Sequence, residues 1–302
     1  MKPVLILCAV LLPGLSGAII PDVRAALNEG DFKKAEDLIA AHRAHHGATP
    51  ELLEAHSWLG RGALARKRWD DADRYASETR KMALAMLEGR KLDDEKHLPI
   101  ALGASIEVQG HAAAGRGERS NGVNFLKEEL ARWHSTSIRT RIQKNLHLLS
   151  LEGTSPPPLE MTEWLGPKPP SFEEMKGKPA LLFFWAHWCS DCKAQLPVLV
   201  RLKQEFEAKG LRIVGPTQPY GYVAAGADAP RSQEVPYIDE VRKGFYGALN
   251  LSAPVSEENF KVYGVSSTPT LVLLDRQGVV RMYHPGKMPY EELAPKVEEL
   301  LR

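Results

Sequence analysis

The stretch Leu181-Leu182-Phe183-Phe184-Trp185-Ala186-His187-Trp188-Cys189-Ser190-Asp191-Cys192-Lys193 constrains this chain more than any other. The run Ala180–Trp185 is short, aromatic and bounded by Lys178-Pro179, which is the pattern of a buried strand. After Cys189 the period changes to that of a helix. Ser190 and Asp191 suit a first helical turn, and Leu196, Leu199 and Leu202 recur at helical spacing. Two cysteines at i and i+3 on a helix start can close a small disulfide ring. The first sulfur then sits where backbone N–H groups and the helix dipole stabilise a thiolate.

The chain has three cysteines, Cys8, Cys189 and Cys192. Met1-Lys2 precedes the apolar segment Val4–Leu12, Pro13-Gly14 breaks it, and Leu15-Ser16-Gly17-Ala18 supplies small residues for a cleavage site. This predicts a signal peptide over residues 1–18 and an exported, periplasmic or extracytoplasmic protein. An uncleaved anchor is the weaker reading, because the segment is short for a spanning helix. Cys8 follows Ile6-Leu7 and no small residue, which argues against a lipoprotein. With the leader removed, Cys189 and Cys192 are the only cysteines. Such a protein has no structural disulfide framework, and the pair is available for redox work.

Length and composition set the frame. The 302 residues allow one large domain or two ordinary ones, and 43% apolar with 25% charged residues is ordinary for a soluble globular chain. A formal net charge of +1 gives no reason to expect nucleic acid or an anionic membrane surface as partner.

Residues 19–152 read as all-helical and weakly repetitive. Ala26, Gly30-Asp31-Phe32 and Ala35 compare with Gly60, Ala63, Trp69 and Ala72, and again with Gly110, Ala113, Gly117 and Gly122. The pattern is similar to the tetratricopeptide repeat, best at Leu59-Gly60 and Trp69-Asp70-Asp71-Ala72. The spacings are looser than that repeat, and the third unit carries an insertion over Leu87–Leu98. Three degenerate helical hairpins and a terminal helix around Ile138–Leu149 are expected. Such an array offers a concave face to a protein partner, or it braces its neighbour; the pattern leaves both open. Residues 153–170, with Pro156-Pro157-Pro158 and Gly166-Pro167-Lys168-Pro169-Pro170, form a proline-rich linker in which Leu159–Trp164 makes a short strand or turn.

Residues 171–302 make the redox domain. Strand Ala180–Trp185 leads to helix Cys189–Lys209, strand Leu211–Gly215, a loop over Gln218–Pro230 and a helix over Glu234–Leu249 with Tyr237, Ile238, Val241 and Phe245 on one face. Ser256 caps a helix ending at Tyr263. Strands Thr270–Asp275 and Val279–His284 follow, joined by Arg276-Gln277-Gly278, and Pro289–Leu301 is a terminal amphipathic helix.

The residues Phe184-Trp185-Ala186, Trp188-Cys189, Cys192-Lys193 and Pro197, with Val265-Ser266-Ser267-Thr268-Pro269-Thr270 before the apolar run Leu271–Leu274, resemble the thioredoxin active site. They are more closely similar to the TlpA/ResA-like extracytoplasmic thiol-disulfide oxidoreductases. The resemblance covers Leu159 to Arg302. It implies an α/β thioredoxin fold behind the helical-hairpin array, with a mixed central sheet and helices on both faces. It implies that Pro269 is cis and faces the cysteines, that Pro197 kinks its helix, and that long insertions shape the substrate surface. It also implies protein disulfide or dithiol substrates and a membrane electron donor, with the chain acting as a reductant.

The resemblance assigns roles residue by residue. Cys189 attacks a substrate disulfide to give a mixed disulfide, and Cys192 then attacks Cys189 and releases the reduced substrate. Trp188 supplies an apolar rim or is a plain core aromatic. Pro269 keeps a competing N–H away and presents the Thr268 backbone to an extended substrate. Ser190 and Asp191 stand where Gly-Pro is common, and the Asp191 charge opposes thiolate formation at Cys189. A protonated His187 would act oppositely. Two departures stand out: Phe183 and Gln195 occupy positions where the family carries buried acids, so proton transfer falls to water, His187, Asp191 or a group from the insertion.

No cofactor beyond the disulfide and no metal are expected. A zinc site needs ligands that one CxxC does not supply, and His42, His45 and His46 read as a solvated helix end. Ala186, His187 and Trp188 lack the threonine a peroxidatic cysteine needs. The competing reading is a partner-binding or assembly module whose array binds protein while the CxxC is secondary or senses redox state.

Overall fold

A computed structural model describes residues 18–302. The leader expected over residues 1–18, and Cys8 within it, lies outside the described residues apart from Ala18.

Seven helices come first: α1 (Ile19–Asn28), α2 (Phe32–His46), α3 (Pro50–Ala65), α4 (Trp69–Met86), α5 (Leu98–Gly115), α6 (Arg119–Arg132) and α7 (Arg139–Ser150). They form three antiparallel pairs and a closing helix, and the insertion after α4 carries only a single 3-10 turn at Leu92–Asp94. Local chemistry sets the starts. The Asp31 carboxylate accepts from the Lys34 N–H at 2.8 Å. Thr49 accepts from the Leu52 N–H at 3.2 Å, with Pro50 in the first turn. The recurring small residues lie where helices cross. A Cβ on Gly122 would stand 2.4 Å from the Gly110 carbonyl oxygen, so α5 and α6 touch backbone to backbone. Residues of α1 to α5 bury one apolar cluster, and α5 to α7 with Leu53 of α3 and Ala83 of α4 bury a second.

The remaining elements are β1 (Trp164–Leu165), α8 (Phe172–Met175), β2 (Ala180–Phe184), α9 (Ser190–Phe206), β3 (Arg212–Val214), α10 (Arg231–Tyr246), β4 (Ala253–Pro254), α11 (Glu257–Val262), β5 (Thr270–Leu274), β6 (Val280–Pro285) and α12 (Tyr290–Leu301). Four strands form a mixed sheet in the order β3-β2-β5-β6. β2 runs parallel to β3 across the α9 crossover and antiparallel to β5, which is antiparallel to β6. Every residue of β2 and β5 is buried, as expected for central strands covered on both faces. Leu181, Phe183, Leu271 and Leu273 point to the side holding the cysteines, while Leu182, Phe184, Val272 and Leu274 face the other. Ser252 bridges to Val214 and Val255 to Thr217, both in parallel, so the chain around β4 covers the open edge of β3.

Several boundaries differ from the sequence expectation for local reasons. β2 stops at Phe184 because the Trp185 N–H turns away to donate to the Pro216 carbonyl at 3.1 Å. Cys189 is the cap of α9 and not its first residue. α10 starts at Arg231, three residues earlier than expected, and gives way at Tyr246 to a 3-10 turn.

The proline-rich connector is laid along the second domain. Gly153 N–H donates to Val280 O at 2.8 Å and Val280 N–H to Thr154 O at 2.9 Å. Tyr263 hydroxyl donates to Pro157 O at 2.7 Å, and Asn259 exchanges two bonds with the backbone of Glu160 at 2.7 and 2.8 Å. Leu151 and Leu159 enter the core beneath the sheet. The helical array is joined just as closely. The His147 ring is edge-on to Tyr283 and its Nε2 bonds to Val262 O at 2.8 Å. Arg139 pairs with Glu258 at 3.0 Å. Gly264, at φ +64°, is where the domains come closest: a Cβ there would lie 2.4 Å from the Lys144 backbone nitrogen.

Candidate active site

The site lies where β2 ends, α9 begins and the loop before β5 returns. Cys189 and Cys192 form a disulfide with Cα atoms 5.2 Å apart. Cys189 is 3% exposed and Cys192 fully buried, so an incoming sulfur reaches Cys189 first. The Cys192 N–H donates to the Cys189 sulfur at 3.0 Å. That donor, with the positive end of α9, stabilises charge on the sulfur once the bond is opened. On the other side, the Cys189 sulfur lies 3.4 Å from the Thr268 carbonyl oxygen, and the Thr268–Pro269 peptide is cis. The two segments singled out in the sequence, 79 residues apart, therefore meet at one sulfur.

The remaining expected residues surround that contact. Trp188 is half exposed and stands edge-on to Tyr220, with ring centroids 5.4 Å apart, so it forms rim and not core. Ser190 and Asp191 are exposed on the first turn of α9. Asp191 does not act alone: its carboxylate is 3.0 Å from the Lys287 ammonium. The charge expected to oppose a thiolate is thus partly balanced, and both partners are open to solvent screening. Pro197 lies inside α9.

Phe183 and Gln195, standing where acids were noted as missing, each have a structural occupation. Phe183 packs on Tyr246 at 5.9 Å in a fully apolar setting. Gln195 is buried and binds the backbone of Met288 twice: its Nε2 donates to the carbonyl and its Oε1 accepts from the N–H, both at 2.9 Å. This ties the segment before α12 to α9, and the amide is spent on that task.

The sequence reading missed what lies behind Trp188. His187 is 2% exposed, and its ring is ringed by Tyr220, Tyr222 and Tyr237 at 5.5 to 5.8 Å. Burial pushes its pKa down, against a smaller opposing pull from Glu234, so the ring is neutral at pH 7. Glu234, at the first turn of α10, is fully buried, with Oε1 3.9 Å from His187 Nδ1. Its oxygens accept from the N–H groups of Tyr220 at 2.5 Å and Gly221 at 2.8 Å. Glu234 therefore fixes the loop whose Tyr220 supports Trp188. A signal existed: Glu234 lies four residues before Ile238 and seven before Val241, on the buried face of its helix.

Chemically, the arrangement holds a two-electron dithiol/disulfide couple with one reachable sulfur, a donor for its thiolate and an adjacent backbone edge. No group of three or more histidine, cysteine, aspartate or glutamate side chains is placed to hold a metal among the described residues. This defines a thioredoxin-like domain of the thiol-disulfide oxidoreductase class.

Comparison with known proteins agrees. Residues 174–301 match the thioredoxin-like domain family. The thioredoxin-like protein YneN of Bacillus subtilis is 29% identical over 150 residues, covering 49% of this chain and 79% of that protein. The thiol-disulfide oxidoreductase ResA of Bacillus thuringiensis subsp. konkukian is 28% identical over 132 residues, covering 42% of this chain and 66% of that relative, just under two thirds of its length. Among solved structures, a thiol-disulfide isomerase from Corynebacterium glutamicum aligns at a TM-score of 0.40 with 20% identity, covering 49% of this chain and 97% of that one.

Proposed function

We propose that the chain is an exported reductant of protein disulfides, working through the Cys189–Cys192 pair outside the cytoplasm. The observation that carries the reading is the meeting of the reachable Cys189 sulfur, the Cys192 N–H and the Thr268 carbonyl on a cis-Pro269 loop. In the reduced protein the Cys189 thiolate attacks one sulfur of a substrate disulfide. A Cys189–substrate bond forms and the second substrate sulfur leaves as a thiolate, which takes up a proton. Cys192, as thiolate, then attacks Cys189, reforms the internal disulfide and releases the first substrate sulfur. The substrate gains two electrons and the pair loses two. A membrane-bound dithiol donor would restore the pair by the same exchange in reverse.

Export is supported by the leader-like residues 1–18 and by the likeness to ResA. No helix among the described residues is long and apolar enough to cross a membrane. The proton leaving Cys192 has no carboxylate at position 183 or 195 to receive it, so its transfer falls to water, His187, Asp191 or a group from the insertion.

The test is to trap the intermediate. A Cys192→Ser variant cannot resolve its mixed disulfide, so incubation with a periplasmic extract should leave substrate proteins bound to Cys189 and releasable by dithiothreitol. If nothing is captured, exchange with proteins is not the function. The reduction potential of the pair against glutathione sets the direction. A value near −270 mV, that of thioredoxin, supports a reductant, and one near −120 mV points to an oxidant. The second reading, an assembly module with a secondary CxxC, is favoured if residues 19–152 alone retain partners that the Cys189→Ser full chain also retains.

A further inference from the structure

A cleft of about 680 Å³ opens beside the redox pair, and both domains build it. One wall is the start of α7, with Ser137 just before it and Thr140 and Arg141 on its first turn. The facing wall carries Tyr220, Lys261 and Ser266 of the redox domain. A second hollow of about 440 Å³ continues it along the turn before α7, sharing Ser137, Thr140 and Lys261.

Two contacts join this cleft to the active site. Ser266 stands two residues before Thr268, whose carbonyl touches the Cys189 sulfur. Tyr220 lines the cleft with one part of its ring system and meets Trp188 edge-on at 5.4 Å. Tyr220 and the Ser266–Thr268 segment thus link the rim of the cysteine pair to the space under the helical array. Along the way Ser266 and Ser267 are exposed, and among the described residues no acceptor of the chain takes the N–H of Ser267 or Thr268. An extended strand laid against this edge would find free backbone partners.

The chemistry of the walls says what kind of chain fits. The cations are balanced: Arg141 pairs with Glu107 at 2.9 Å, Arg231 pairs with Glu163, and Lys261 lies 4.0 Å from both Glu257 and Glu258. Nothing here selects a polyanion. A near-neutral trough that mixes polar side chains with Tyr220, Phe260 and Val265, next to the free N–H groups of Ser267 and Thr268, suits an extended polypeptide of tolerant sequence.

We propose that the cleft seats the segment of a substrate protein that flanks its reactive cysteine, so that the helical array is part of the substrate-binding surface. This rests on the exchange reading above. With the substrate sulfur at Cys189, the flanking chain pairs along Ser267 and Thr268, crosses Ser266 and enters between α7 and Lys261. The array then selects disulfides that lie in extended, accessible protein segments over small-molecule disulfides.

The experiment uses the full chain, reduced with dithiothreitol and freed of it, in single-turnover reactions with two probes. One is glutathione disulfide. The other is a mixed disulfide of glutathione with a cysteine peptide extended by about ten residues on each side, long enough to reach the far end of the trough. The readout is the ratio of the two second-order rates, which cancels any effect on the cysteines themselves. The wild-type chain should favour the long peptide, and Ser137→Trp, which fills the cleft from an exposed position, should cut the ratio about tenfold. Thr140→Trp, on the next turn, gives an independent second reading. A ratio that both variants leave at the wild-type value overturns the cleft proposal while exchange stands. A wild-type chain that reduces neither probe overturns the exchange reading itself.

Discussion

At the scale of single residues, two side chains that carry no redox chemistry set what the cysteines can do. Lys287 sits across from Asp191 at 3.0 Å, on a segment whose spacing from the CxxC gives no hint of the contact. Lys287→Ala should leave Asp191 unbalanced beside Cys189 and move the midpoint of Cys189 alkylation upward in pH. Because both partners are about half exposed, the shift should be less than about half a pH unit; a downward shift would contradict the pairing. Gln195 shows why the family's acid has no place here. Gln195→Glu would remove the donor to Met288 O and set carboxylate lone pairs against that carbonyl. The expected cost is about 1–3 kcal/mol in urea unfolding, with no loss from the neutral amide of the parent. Were the variant as stable as the parent, the two-point link to Met288 would be of no consequence. Glu234 has the same character: Glu234→Gln keeps the shape but one of the two N–H groups, of Tyr220 or Gly221, loses its acceptor.

At the scale of elements, burial of histidines makes the fold sensitive to acid. His56, His147 and His187 each have a pKa pushed below the ordinary 6.5, in every case chiefly because burial disfavours the imidazolium. They face different surroundings. His56 bonds Thr79 at 2.8 Å with Glu78, Arg74 and Arg43 nearby; His147 lies between α7, α11 and Tyr283; His187 faces Glu234 and three tyrosines, with Lys193 nearby. Well above pH 6.5 all three are neutral in both folded and unfolded chains, and they make no difference. As the pH falls through 6.5 the unfolded chain takes up protons the folded chain refuses, so stability drops with falling pH. Thermal scans at about pH 7.5 and pH 5 should show a lower Tm in acid, and His147→Gln should flatten the dependence. An unchanged slope in that variant would mean that His147 is not held neutral.

The elements also show how far the sequence could be read. The three helical pairs, α7 and the strand running into the CxxC helix were legible because each rests on local period or cap residues, while the cis-Pro269 loop was legible through the family resemblance alone. The Ser256 cap and the helix after it were read from Pro254-Val255-Ser256-Glu257-Glu258. What was not legible is long-range: Lys287 reaching Asp191, Gln195 reaching Met288, Glu234 reaching the loop at Tyr220, and α7 reaching Gly264. None of these pairs is fixed by spacing; each exists only once the sheet has brought distant segments together. Glu234 is the exception that periodicity could have flagged, and a carboxylate on an apolar helix face is a reason to look for its partner.

At the scale of the whole molecule, the hydrogen bonds of Gly153, Thr154, Pro157 and Glu160, the His147–Val262 bond and the shared core of Leu151 and Leu159 join the two halves. Heating should therefore unfold the protein in one cooperative transition by calorimetry, and two separated peaks would show that the halves melt independently. Gly264 is the tightest point of this seam. Gly264→Ala must accept φ +64° and a Cβ against the Lys144 backbone, so a loss of about 2–4 kcal/mol is expected, together with faster exchange of the Val265 and Ser266 amide hydrogens, which donate to Phe260 O and Gly264 O.

That glycine bears on how such a protein can change over time. Thioredoxin-like domains are commonly treated as cartridges, to be fused behind any other module. Here residue 264 has given up its side chain to let α7 in, five residues ahead of Pro269. Replacing the N-terminal half of this chain by another would therefore disturb the segment that leads into Pro269. In this chain the two halves fit each other as a unit, and a graft of the redox half onto a foreign partner should arrive with its substrate edge out of place.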